Sequence, residues 1–176
     1  AKGGGTADNE FADALSASAL AAKTNSPVVL TQDDIKDSTQ KFIEDNVNAS
    51  DNIVAVGGQA SVSDYLLEHI EITAIVKSAD VRLQAIADST SDSNEKDAIE
   101  QIIDNLNNSI STKLDNADEA LSNFESNMEK TQQILQKLSD VERTHLQNQI
   151  NADQTLMQYL NQLNQIAEKY FPADTE

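Results

Sequence analysis

Hydrophobic spacing along the chain changes character near residue 60. Glu10 to Lys23 carries Phe11, Leu15 and Leu20 among alanines and serines, a weakly amphipathic helix that Pro27 ends. Thr31 and Asp34 have capping-box spacing, and Ile35, Phe42, Ile43 and Val47 then recur at helical intervals. Asn46 to Asn52 is rich in turn formers, and Ile53–Val56 before Gly57 and Gly58 is a strand-like run. Four such residues cannot build a sheet alone, so they form a linker or pair with another chain. Ser61 and Ser63 are candidate N-caps for a helix from about Asp64 to Asp88. Its apolar residues fill more than one stripe and predict packing between neighbours. Ser89 to Asn94 is a polar breaker.

From Ile99 the pattern becomes heptads. Ile103, Ile110, Ala117, Phe124, Thr131 and Leu138 lie seven apart, interleaved with Leu114, Leu121, Met128 and Leu135, and together they define one seam. Leu156, Leu160 and Leu163, with Ala167 and Tyr170, define a second. Ser139 to Arg143 predicts a break between them, with a further helix from Leu146 to Tyr170. The alternative is one helix from Lys96 to Tyr170, about 110 Å long. Gly and Pro are absent between Gly58 and Pro172, so nothing in that stretch forbids helix.

The expected fold is all-α: an elongated helical bundle or coiled-coil hairpin with a short irregular or β-like segment near residues 53–56. Residues 1–62 form a flexible N-terminal segment with two short helices and an extended piece. Residues 63–171 form a long helical domain, and 172–176 an acidic tail.

Composition narrows the chemistry. Twelve Lys and Arg against 30 Asp and Glu give a net charge of −18, which disfavours nucleic acid as a partner. No apolar run is long enough for a membrane span. Cysteine is absent, which removes thiol and thiolate chemistry, and two histidines leave little for a catalytic triad. The first residue is not Met, so a targeting segment preceding it stays open. About 30 of the 176 residues are Asn or Gln, the composition of extended solvated faces.

Glu142 and His145 stand at i and i+3, half of the motif that carboxylate-bridged metal bundles use in pairs. The other histidine, His69, lies between Glu68 and Ile70 and does not complete it. The acidic pairs Asp33 with Asp34, and Asp115 with Asp118 and Glu119, read as solvated helix faces. Gly57-Gly58 lacks the further Gly and the Lys of a phosphate loop and reads as a hinge. No catalytic, metal or cofactor-binding residue is assigned, and no cofactor is expected.

Two stretches, Asp97 to Leu138 and Gln40 to Val56, resemble extracellular filament and needle-tip proteins of bacterial type III secretion systems. The resemblance implies a secreted or surface-exposed, non-enzymatic subunit of a filament or tip assembly, with other proteins of a secretion or surface assembly as partners. From the seams themselves comes the expectation of a homo-oligomer whose interface is Ile103, Ile110, Leu114, Leu121, Phe124, Met128, Leu135, Leu138, Leu156, Leu160 and Leu163. The alternative is a monomeric bundle serving as a sensing or adaptor domain, with a ligand or protein bound between its helices.

Overall fold

A computed structural model describes residues 12–31, 37–58, 62–110 and 117–170. Among them are seven helices: α1 (Ala12–Thr24), α2 (Asp37–Asn46), α3 (Asp64–Ser89), α4 (Ser93–Ser109), α5 (Ala117–Lys137), α6 (Asp140–Ala152) and α7 (Gln154–Tyr170). The fold is an all-α bundle, as the periodicity predicts.

Local chemistry accounts for most of the boundaries. α1 stops before Pro27 because Asn25 turns left-handed at φ 54°, letting the Ser26 N–H reach back to the Ala21 carbonyl at 3.0 Å. α3 starts where Ser63 Oγ accepts the Leu66 N–H at 3.1 Å, and α4 starts where Asp92 accepts from Asn94 and Glu95. The 53–56 run forms no ladder and is irregular; Thr31 has an isolated bridge. The Asp34 half of the first proposed cap, the Ser61 cap, the glycines near the N-terminus and the 172–176 tail lie outside the described residues.

α3 is the central column. Val76, Ala79, Leu83 and Ala87 recur three or four residues apart and are almost fully buried, and the two alanines let neighbouring helices approach closely. They share one core with Ile99, Ile102 and Leu106 of α4, Phe124 and Ile134 of α5, Leu146 and Ile150 of α6, and Leu156 and Leu163 of α7. Each of the larger residues contributes on the order of 1.5–3 kcal/mol when removed from water.

The continuous seam from Ile103 to Leu138 is corrected by the structure. α4 ends at Ser109, its C-cap Ile110 has left helical geometry at φ −104° and ψ 0°, and α5 packs back extensively on α4. The heptad rows therefore close within the chain. Ile110, Phe124, Leu138, Leu156 and Leu163 are buried in the shared core, with Ile103, Met128, Leu135 and Leu160 partly buried against it. Leu114 and the side chain of Leu121 lie outside what the structure describes. The break has a local cause, since Asn107, Asn108 and Ser109 are weak helix formers whose side chains compete for backbone groups. Asn107 Nδ2 donates to the Ile103 carbonyl at 3.1 Å, Ser109 Oγ donates to the Leu106 carbonyl, and Asn123 Nδ2 crosses from α5 to the Asn108 carbonyl at 2.6 Å.

The expected break at Ser139 is present. Ser139 Oγ accepts the Glu142 N–H, and Glu142 Oε2 accepts the Ser139 N–H at 2.7 Å, a complete capping box opening α6. A second break corrects the helix drawn from Leu146 to Tyr170. Asp153 closes α6 and caps α7 by accepting the N–H groups of Thr155 and Leu156 at 3.1 and 3.0 Å. The same carboxylate takes Arg82 Nη1 from α3 on both oxygens, at 2.9 and 2.8 Å, so the corner is tied to the central column.

Candidate functional site

The chain after α2 has to turn sharply, and Asn48 to Asp51 does so with its own side chains. Asp51 Oδ2 accepts the Asn48 N–H at 2.8 Å, and the Asp51 N–H donates to the Asn48 carbonyl at 3.0 Å. Ser78 Oγ of α3 then accepts the Ala49 N–H at 3.0 Å, which fixes the turn against the bundle. Ala49 packs on the main core beneath it.

This turn, α3 and α7 wall a cleft of about 220 Å³. It is lined by Ala49, Ile53, Ala74 and Ile75 and by the polar residues Asn48, Asp51, Asn52, Glu71 and Gln162, and most of the surface it exposes is polar. Amide side chains both donate and accept, and carboxylates accept, so the lining residues carry both kinds of hydrogen-bonding group. The lining contains two acids and no Lys, Arg or His. α7 is held along α3 by Lys169, whose ammonium lies 2.9 Å from Glu68 Oε1, and by burial of Leu163 next to Gln162.

Other polar clusters are accounted for by the packing. Glu95 is buried on α4 and accepts from Thr90 Oγ1 at 3.0 Å, with His145 Nδ1 at 2.8 Å from one of its oxygens. Glu142 is occupied by its cap and by Asn94 Nδ2 at 2.7 Å, and these bonds hold its carboxyl below the usual range. The Glu142 and His145 pair thus joins α6 to α4. Among the described residues no three His, Cys, Asp or Glu are placed to hold a metal ion. His69 is buried on α3, and burial lowers its pKa to about 4. Asp80 is raised by burial, an effect opposed by the Asn107 amide and Lys77 and reinforced by Asp104.

Residues 1–67 match the model of the family described as Cell wall binding domain 2 (CWB2). The match covers 67 of 176 residues and includes α1, α2, the turn and the start of α3. Neither the curated proteins nor the solved structures yield a match. The type III secretion resemblance is corrected by this result, because Gln40 to Val56, one of its two stretches, falls inside a match to a wall-binding family. The other stretch rested on heptads that fold here as the α4–α5 hairpin, and heptads recur in unrelated proteins. The matched family is described as one of cell wall binding, and the match covers the N-terminal 67 residues alone. Among the described residues no helix is long and apolar enough to cross a membrane.

Of the residues singled out in the sequence, the described seam residues are gathered into or against the core and none of them lines the cleft. Asn48, Asp51 and Asn52 fell in a segment read only as a turn, and Glu71 and Gln162 were unmarked. The density of amides and acids between Asn46 and Asn52 was the available signal. Its meaning depends on Ser78 and α7, which sequence spacing does not bring near.

Proposed function

We propose that this chain is a non-enzymatic cell-surface protein that attaches to the cell wall through its N-terminal third and uses the helical bundle as a rigid mount for that segment. The observation that carries the reading is the match of residues 1–67 to a cell wall binding family. The geometry agrees with it, since the matched segment is fastened to the bundle by the Ala49 to Ser78 bond and the Ala49 contact. The alternative of a bundle that holds a ligand between its elements merges with this reading, because the cleft lies at that junction.

Self-assembly, the finer expectation from the heptads, needs a surface other than the Ile103–Leu138 seam, which is engaged within the chain. Exposed apolar residues outside that seam include Leu15, Phe42 and Val54, at 72%, 39% and 56%. Wall attachment is tested by co-sedimentation of the full chain with purified wall sacculi. Retention in the pellet supports the proposal, and full recovery in the supernatant at all salt concentrations refutes it. Light scattering over a concentration series tests assembly, which a mass fixed at 19.1 kDa would exclude.

A further inference from the structure

We infer that this chain pairs with a second copy of itself by exchanging residues 117–170, the α4–α5 corner opening into one continuous helix. The chain divides at that corner. α3 and α4 lie before it and α5, α6 and α7 after it; α5 packs on α4, α7 on α3, and α6 on both. Polar ties run between the same two halves: Glu68 with Lys169 at 2.9 Å, Arg82 with Asp153 at 2.8 Å and Glu95 with His145 at 2.8 Å. Each pair joins a residue before Ile110 to one after Ala117, so each forms equally well when its two members belong to different chains.

The sequence of the corner suits both states. Ile110, Leu114, Ala117, Leu121 and Phe124 keep the four-three spacing straight through it, and residues 110–117 contain neither Gly nor Pro, so nothing in them forbids helix. The closed corner rests on weaker devices. Ile110 stands at φ −104° and ψ 0°, its N–H donates to the Asn107 carbonyl at 3.2 Å, and Asn123 Nδ2 donates to the Asn108 carbonyl at 2.6 Å. In a continued helix those two carbonyls accept instead from the N–H groups of Ser111 and Thr112, four residues on. The two bonds that hold the corner are thus replaced by two helical ones, and the ladder extends across the residues between.

Opening the corner also settles where the heptad seam goes. Within one folded chain the seam is closed and leaves a neighbour nothing to hold. With the corner open, residues 93–137 form a single helix about 67 Å long. Two such helices lie antiparallel, each α5 covering the other copy's α4 as it covers its own in the single chain, and the heptad positions of the corner meet their counterparts about the twofold axis. The contacts of the bundle are otherwise the same in both forms. What decides between them is concentration: a short connection keeps the two halves of one chain at an effective concentration on the order of millimolar, so the single chain wins when dilute and the pair when crowded.

The test refolds the full chain from urea at about 10 μM and about 1 mM, below and near that effective concentration, and separates the products by size. A pair of twice 19.1 kDa is expected at the higher concentration. Exchange is read with Glu68→Cys and Lys169→Cys together, in a chain that has no cysteine of its own. The separated species are diluted, joined with a short bis-maleimide and run denatured. Cross-links that leave the single chain at 19.1 kDa and double the denatured mass of the pair support exchange. A pair whose cross-links stay within each chain, or no pair at the higher concentration, overturns it. Asn123→Ala, which removes a bond of the closed corner alone, should raise the paired fraction severalfold, and Leu114→Gly, which disfavours the continued helix, should lower it. Circular dichroism confirms the fold of both. Paired fractions equal in the parent and both variants overturn the role assigned to the corner.

Discussion

Acidification should unfold this protein earlier than its carboxylates alone would cause, and His69 is the reason. The imidazole is 5% exposed on α3, and burial lowers its pKa to about 4, against 6.5 in an unfolded chain. Between those values the unfolded state binds a proton that the native state refuses, so stability falls as pH falls through the window from 6.5 to about 4. A difference of about 2.5 units at 1.36 kcal/mol each corresponds to about 3 kcal/mol, a sizeable share of the 5–15 kcal/mol typical of a domain. Urea unfolding followed by circular dichroism at pH 7, 6, 5 and 4.5, a series that realises most of that difference, should show the midpoint falling by about 1 M for a slope near 2 kcal/mol per M. His69→Leu removes the titration. Glu142 and Asp153, both held below the usual carboxylate range by hydrogen bonds, lose their contributions at lower pH and do so equally in both proteins. The difference between parent and variant should therefore vary with pH in that window. Parallel midpoint curves for the two proteins from pH 6.5 to 4.5 would refute the reasoning, whatever their absolute offset.

Other expectations can be checked in the same assay. Asp153→Ala should cost about 1 kcal/mol from the lost α7 cap, while Asp153→Asn should retain most of the cap and lose the pairing to Arg82. Ser139→Ala should cost a similar amount, read as a lower midpoint with unchanged slope. Leu156→Ala, at a fully buried position, should cost about 2–5 kcal/mol, whereas Val81→Ser, at a 73% exposed position, should stay within about 0.5 kcal/mol. Asp80→Asn should stabilise the protein at pH 7, because burial opposes ionisation of the native carboxyl, a penalty that builds as pH rises from the unfolded value to the raised native one and is complete above it; the gain should vanish in acid, below both values.

The helices were legible because their signals are local. Ser63, Asp92 and Ser139 are short polar side chains placed immediately before apolar periodicity, and each caps the helix that follows. The hairpin at Ile110 was not legible, because the heptad spacing runs through it without interruption. What ends α4 is the sum of weak preferences at Asn107, Asn108 and Ser109, realised once α5 can pack back on α4. The corner at Asp153 was not legible either, because its role depends on Arg82, 71 positions earlier. The cleft needed the same kind of long-range information, since Asn52 and Gln162 are 110 positions apart.

Charge then places a constraint on how any wall attachment works. Residues 1–67 carry four lysines against ten acids, a net of −6, so the matched segment is no less anionic in kind than the −12 remainder. A segment of this net charge gains no long-range attraction to polyanionic wall polymers, and higher salt would relieve repulsion from them. Affinity must come from short-range contacts made on a surface held in place beforehand, because loops that order only on binding lose much of what they gain. The turn after α2 is held in this way within the chain. Asp51 and Ser78 hold Asn48 to Asn52 in position through hydrogen bonds made within the chain, and Arg82 with Lys169 fixes α7 on the far side. Loosening the mount should therefore weaken wall attachment: Ser78→Ala, which removes the acceptor for the Ala49 N–H, should lower the fraction of the chain retained by wall sacculi at unchanged helix content, and unchanged retention would refute the role of this tie.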